Sequence, residues 1–300
     1  MSIIVLGTVA FDTIKTPYGR QKDLLGGSAA HFSMSASAFT KVNLAAVIGE
    51  DFPVKDINFF KKKGIITTAL TEKKGKTFRW EGEYKPEDLN SACTLHTELG
   101  VIITHMPELT EKQKNIKTVF LGNYDPDLQY KFLKSMHKPD LVAMDSMNLW
   151  IHNKRKELKR LLKCADILFV NDQEAKDLSG EDNLLKAAKC LTGFGPQMIM
   201  LKKGEHGVLF YSKKTTFALP AYPIEKVIDP TGAGDTFAGG VMGYLAQSKK
   251  INDDSLKQAV AYGTIFSSFN VEGFGLKRTG SLTKAEVNKR MEEYRRFFKF

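Results

Sequence analysis

Asp235 lies in the stretch Lys226–Ala246, KVIDPTGAGDTFAGGVMGYLA, directly after a Gly-Ala-Gly run and at the start of a helical pattern. The apolar pair Val227-Ile228 breaks at Pro230, after which Phe237, Val241, Tyr244 and Leu245 recur on one face. Gly232, Ala233 and Gly234 let a ligand approach the backbone closely. A helix start also aims unpaired N–H groups and the positive end of the dipole at one point. Together these make an anion hole. A carboxylate beside phosphate-cradling amides repels phosphate unless it has other work. The fitting work is to accept a proton from a hydroxyl attacking phosphorus in line. The dipole is expected to keep Asp235 ionised and hence a weak base, which suffices where proton removal comes late. The alternative, on residue types alone, is an ordinary glycine-rich turn whose acid satisfies the dipole.

Other polar groups follow apolar strand patterns in the same way. Asp12 comes after Ile3–Leu6 and Gly7, where an acid can meet ligand or cap a turn. Leu24-Leu25-Gly26-Gly27-Ser28-Ala29-Ala30-His31 leads into a small-residue helix, read as Phe32–Phe39, and its double glycine lets backbone and substrate come close. Ala165–Val170 delivers Asn171-Asp172-Gln173-Glu174, a capping box by spacing. Gln197–Leu201 runs into Lys202-Lys203-Gly204-Glu205-His206-Gly207. There a lysine could meet phosphate as a point charge and two glycines permit a turn.

DPTGAGDTFAGG resembles the C-terminal signature of the ribokinase-like (PfkB) family of carbohydrate and nucleoside kinases, and GG followed by small residues resembles its N-terminal signature. The resemblance implies Asp235 as catalytic base, with Gly232, Ala233 and Gly234 as the anion hole. It implies substrate contacts at Asp12, Gly26, Gly27, His31 and Asn123, although many members carry Asn where this chain has His31. Asn171-x-x-Glu174 is similar to the motif that organises Mg2+-bound water and nucleotide phosphate. The stretch with Lys202, Gly204 and Gly207 resembles the family's nucleotide loop, where Thr is usual at the place of Lys202, and the resemblance implies an ATP contact at Gly234 as well. Asp229 and Thr231 match positions that help hold a monovalent cation, K+, and Asp145 falls near the phosphate side of the cleft. The implied cofactors are ATP, Mg2+ and K+.

At least six strand-then-helix units predict an α/β fold: a doubly wound, mainly parallel sheet flanked by helices, with the site at the strand C-terminal ends. A single kinase domain over residues 1–300 is expected, with a small antiparallel β lid from excursions at about 12–26 and 66–104. In the second excursion Phe78, Trp80 and Tyr84 share one strand face. That face could stack on a base or sugar, or bury between the lids of a homodimer, and the second reading is preferred. Lys74-Gly75-Lys76-Thr77 mimics the end of a Walker A loop, but the required first glycine falls at Leu70. Thr283, with Glu286 three residues on, opens a tail helix.

Composition narrows the function further. Apolar content of 42% and charged content of 26% are those of an ordinary globular chain, and no apolar run reaches the ~18 residues of a membrane span. The start MSIIVLGTVAFD has no basic segment or cleavage site, so it reads as a strand and not a signal peptide. Cys93, Cys164 and Cys190 are odd in number and unpaired in spacing, which predicts reduced thiols in a cytoplasmic protein. The net charge of +10 is scattered among acids, arguing against nucleic-acid binding and for a general pull on anionic small molecules. His96, His105, His137 and His152 lack metal-ligand spacing. The expected function is ATP-dependent phosphorylation of a hydroxyl on a sugar or sugar-like small molecule. A nucleoside kinase is the near alternative. A non-catalytic sugar or nucleotide sensor is the far one, disfavoured because Asp235, Asn171 and Glu174 are all present.

Overall fold

Short runs such as Ile3–Leu6, Val119–Leu121 and Leu168–Val170 are apolar at every position and buried at every position. A strand can bury both faces only when helices cover both sides of its sheet. The computed structural model, which describes residues 1–298, has that layout. Its main sheet is built from β1 (Ser2–Leu6), β4 (Lys41–Gly49), β5 (Ile66–Lys73), β8 (Thr118–Leu121), β9 (Leu141–Asp145), β10 (Ile167–Asn171), β11 (Met198–Lys202), β12 (Val208–Ser212) and β13 (Thr216–Leu219). The spatial order is β13-β12-β11-β10-β9-β8-β1-β4-β5, parallel except for the β11–β12 and β12–β13 pairs. Alternate residues feed two cores. Ile3, Val5, Phe120 and Phe169 pack toward the Ser28–Ala36 and Ala233–Gln247 helices, and Ile4, Leu6, Leu121 and Val170 pack toward the opposite layer.

A second sheet, ordered β3-β2-β6-β7, forms the lid from β2 (Ala10–Thr16), β3 (Gly19–Gly26), β6 (Arg79–Lys85) and β7 (Asp88–Glu98). Two of its pairings are antiparallel, and its central β2–β6 pairing is parallel. The second lid excursion is therefore shorter than expected. Residues 66–73 pair in parallel with β4 and belong to the main sheet. The mixed polarity of Ile66–Lys73 is that of an edge strand with one solvated side, which imitates a lid strand in sequence.

The chain winds outward from β1 to β5 and then returns to β8, so the strand order reverses beside β1. Ligands of open α/β sheets bind at such reversals, outside the C-terminal strand ends. Gly7, Gly122, Asp145, Asn171 and Lys202 end or follow their strands along that edge. The Ala233–Gln247 helix is seated below them by small residues. A Cβ on Gly240 would come within 2.8 Å of Gly263, and one on Gly243 within 2.8 Å of Ala36. Such close approach fixes the helix start, and so the anion hole, relative to both neighbouring helices. Among the described residues, no helix is long and apolar enough to cross a membrane.

Candidate active site

Gly232 caps the Ala233–Gln247 helix in the left-handed region, with φ at 70°. A side chain there would be strained and would also collide with the His31 ring. The amides of Gly232 and Gly234 have no acceptor among the described residues, whereas the Ala233 amide donates to the Pro230 carbonyl at 3.1 Å. The expected three-amide hole is thus two amides wide, because the turn that starts the helix uses the middle one.

Asp235 stands in this hole. Its carboxyl is held above the ordinary range first by burial and then by the Asp145 charge, against the pull of Lys202 and of its own amide. Burial and Asp145 thus act against the ionised form that the helix dipole alone would favour. Lys202 Nζ pairs with Asp145 Oδ2 at 2.9 Å, and a Cβ on Gly234 would lie 3.0 Å from that nitrogen. Burial alone would weaken this ammonium, yet Asp145, Glu174 and Asp235 push it up to about 12. One fixed positive charge therefore stands among three acids at the mouth of the anion hole.

Asn171 and Glu174 form the predicted capping box. Asn171 Oδ1 accepts from the Glu174 amide at 2.7 Å, and Glu174 Oε2 accepts from the Asn171 amide at 2.8 Å. Glu174 is buried, which raises its pKa, and Asp145 adds to the rise while Lys202 opposes it. Asp229 is fully buried, and its two carboxylate oxygens accept the amides of Thr231 and Gly275, each at 2.9 Å. Asp12 is pushed up to about 7 by burial and by the Asp229 charge. Gly26 leaves the space that its carboxylate fills, and Gly27, with φ at 95°, turns the chain from β3 into the Ser28–Ala36 helix. That helix begins four residues earlier than read from the sequence.

His31 lies elsewhere than expected. It is 1% exposed, packed against Gly232, with Nδ1 3.0 Å from Asn270 Oδ1. Asn270 Nδ2 donates to the Thr231 carbonyl, which fixes that amide's orientation and makes His31 Nδ1 the protonated nitrogen. Burial lowers the imidazole to about 4, so the ring is neutral, and Nε2 has no partner among the described residues. His31 supports the anion-hole loop from behind in this state. Asn123 follows β8 at the strand-order reversal, where its carbonyl accepts from Ser28 and its Oδ1 from Trp150 Nε1 at 2.8 Å.

Three features were not read from the sequence. Asn270, buried on a helix face, ties together His31, Thr236 and Thr231; a fully buried Asn among apolar neighbours is the signal for such a hub. Tyr84 brings the lid to the site, since Thr231 Oγ1 donates to its hydroxyl at 3.2 Å. Its phenol is raised by burial and then by Asp229, Asp12 and Asp235, and so stays protonated. The third is a cavity of about 510 Å3 lined by Lys202, Gly204, Gly207, Ala233, Gly234 and the turn Pro86–Asn90 of the lid. Gly204 (φ 53°) and Gly207 (φ 84°) line it with positive-φ backbone.

Two amides without an acceptor at a helix start, a lysine ammonium and a buried carboxyl thus meet at one edge of the sheet. A model of the pfkB family carbohydrate kinases matches residues 104–281, and the chain belongs to that family. It is an ATP-dependent phosphotransferase whose acceptor is a sugar or a nucleoside. The chain is similar to the cytidine kinase of Thermococcus kodakarensis, 30% identical over 261 residues that span 84% of this chain and 91% of that one. Its fold matches the nucleoside kinase of Methanocaldococcus jannaschii with a TM-score of 0.76 at 21% identity, over 97% of this chain and 98% of the other. A fructokinase double mutant from Vibrio cholerae O395, in its fructose-, ADP- and potassium-bound form, matches with a TM-score of 0.79 at 16% identity, over 97% and 98%.

Proposed function

We propose that the chain phosphorylates the primary hydroxyl of a nucleoside, with a free sugar as the second reading. The observation that carries it is the lid face opposite the anion hole. Trp80 pairs in register with Asp12 across β2 and β6, so both side chains leave the sheet on one side, with Tyr84 four residues further along it. The indole lies over Gly82 and donates to Thr94 Oγ1 at 3.1 Å, and on this lid face it offers a stacking surface for a base, which free ribose lacks. The similarity to a cytidine kinase supports the same choice.

In this reading Asp12, with the backbone at Gly26 and Gly27, holds the acceptor hydroxyls, and Asn123 borders the same cleft. Asp235 takes the proton of the attacking hydroxyl, for which a carboxyl raised toward neutrality is matched. The Gly232 and Gly234 amides and the Lys202 ammonium stabilise charge that grows on the transferred phosphoryl oxygens. Gly204 and Gly207 bring the backbone against the nucleotide. Mg2+ is bound by one or two carboxylates together with substrate phosphates and water. Glu174, oriented by Asn171 and within electrostatic reach of Asp145, would hold it through water, and the bound ion would neutralise phosphate charge. Asp229 retains lone pairs beyond its two amide bonds, which fits a K+ ion shared with Thr231. The 1–300 chain acts as one kinase unit with its lid, in the cytoplasm where its free cysteines stay reduced, and the exposed edge of β7 is where two lids would pair as a homodimer.

The test is an ATP-consumption panel of nucleosides, ribose, hexoses, phosphorylated sugars and inositols, run with Mg2+ and K+. A nucleoside should exceed ribose in kcat/KM by at least about tenfold, the scale of one base–aromatic stack. A sugar that matches or exceeds every nucleoside overturns the choice of acceptor. ATP binding without stimulation by any compound would favour a sensor.

A further inference from the structure

The lid is expected to cover the acceptor, yet the far end of its β6–β7 hairpin reaches the other substrate. Lys85 and Asp88 close the hairpin around the Pro86-Glu87 tip, and the Asn90 amide donates to Asp88 Oδ1 at 2.9 Å, which orders the turn. The Asn90 side chain lies against Gly204 so closely that a Cβ on that glycine would collide with it. Gly204 follows β11, the strand that ends in Lys202, and Pro86–Asn90 lines the same cavity as Gly204, Gly207 and Gly234. Directly before that tip, Tyr84 meets Thr231 in the loop that precedes Gly232. One hairpin thus touches the acid-bearing loop and the nucleotide loop at once.

We infer that the Pro86–Asn90 turn is part of the ATP site, with Asn90 as a donor-binding residue carried on the lid. The inference rests on the cavity being the nucleotide site, as proposed above. The turn offers an amide and the carboxylates of Glu87 and Asp88. Hydroxyls and amino groups can bond to these, whereas phosphates are repelled, so the turn meets the nucleoside half of ATP and leaves the phosphates to Lys202 and the glycine amides. Bound ATP then favours the closed lid, and the closed lid tightens ATP, because the two share contacts made only in the closed state.

The experiment compares two variants with the unmodified protein: Asn90→Ala, and a turn replacement of unchanged length in which residues 87–90 become Gly-Ser-Gly-Ser. It reads KM for ATP, KM for the acceptor, and Trp80 emission on ATP addition in a Trp150→Phe background. Asn90→Ala should raise KM for ATP by about fivefold, the scale of one lost hydrogen bond, with a smaller change in KM for the acceptor. ATP alone should shift Trp80 emission, and the turn replacement should abolish the shift. Unchanged KM for ATP in both variants, or a Trp80 signal indifferent to ATP, overturns the inference. Gly234→Val separates the two readings. If it removes ATP binding while the turn variants bind normally, only the lid contact is wrong; if it leaves ATP binding intact, the cavity assignment itself fails.

Discussion

Asp235 is suited to take a proton because its surroundings make its charge costly, with burial first and Asp145 second. Asp235→Asn keeps the shape and removes the base. It should lower kcat by about 10^3-fold, within the usual range for a lost general base, while ATP affinity stays within about twofold. Steady-state kinetics with equilibrium nucleotide binding checks both. Because the base must be ionised to act and its folded pKa is raised, kcat/KM should fall with acidification at a pH above the ordinary carboxylate range. A profile flat down to about pH 5 would remove Asp235 from the role. Gly232→Ala is a structural test as much as a chemical one. Left-handed φ and contact with His31 together should lower stability by about 1–3 kcal/mol in denaturant unfolding. The motif made this residue's place legible, since glycines before an acid at a helix start point to one chemistry. Its protonation was not legible, because Asp145 lies far back along the chain and enters only through the fold.

Elements were legible where local chemistry decides them. The capping boxes at Asn171/Glu174 and Thr283/Glu286 form as their spacing predicts, because each depends only on a side chain and an amide three residues apart. The lid's second boundary is not legible, because the mixed polarity of Ile66–Lys73 fits a main-sheet edge as well as a lid strand. Tyr84 shares a face with Trp80 as alternation requires, but its partner Thr231 lies 147 residues on, beyond the reach of any periodic pattern. The contact also bears on the expectation that this aromatic face buries between two lids, since Tyr84 turns toward its own chain's site. Tyr84→Phe removes one hydrogen bond between lid and loop. It should reduce acceptor kcat/KM by about fivefold with a smaller effect on ATP binding, and unchanged kinetics would leave the contact without a catalytic role. The lid's stem has its own clamp: Asp51 accepts from the Thr77 amide and hydroxyl, both at 2.7 Å, and pairs with Arg79 at 3.0 Å.

At the scale of the molecule, Asp145, Glu174 and Asp235 surround the ammonium of Lys202, while Asp12 and Asp229 act on one another. Asp12 moves from an ordinary 3.8 to about 7. A raised carboxyl contributes stability that is complete below its unfolded pKa and lost as pH rises through its folded one. Asp12→Asn cannot ionise, so it should match the unmodified protein near about pH 4 and exceed it at about pH 8, by up to about 4 kcal/mol. Thermal unfolding at both pH values, without ligands, measures the difference, and equal stability at the higher pH would contradict the raised pKa. K+ should stimulate turnover over a choline background if Asp229 and Thr231 hold it, and indifference would leave both residues to the turn alone. The lid, finally, has an unusual place in the order of synthesis. Its four strands are complete by Glu98, whereas Thr231 and Gly204, which its Tyr84 and Asn90 touch, come more than a hundred residues later. A chain leaving the ribosome therefore has its cover before most of the vessel, and the open edge of β7 is then exposed to whatever strands lie nearby.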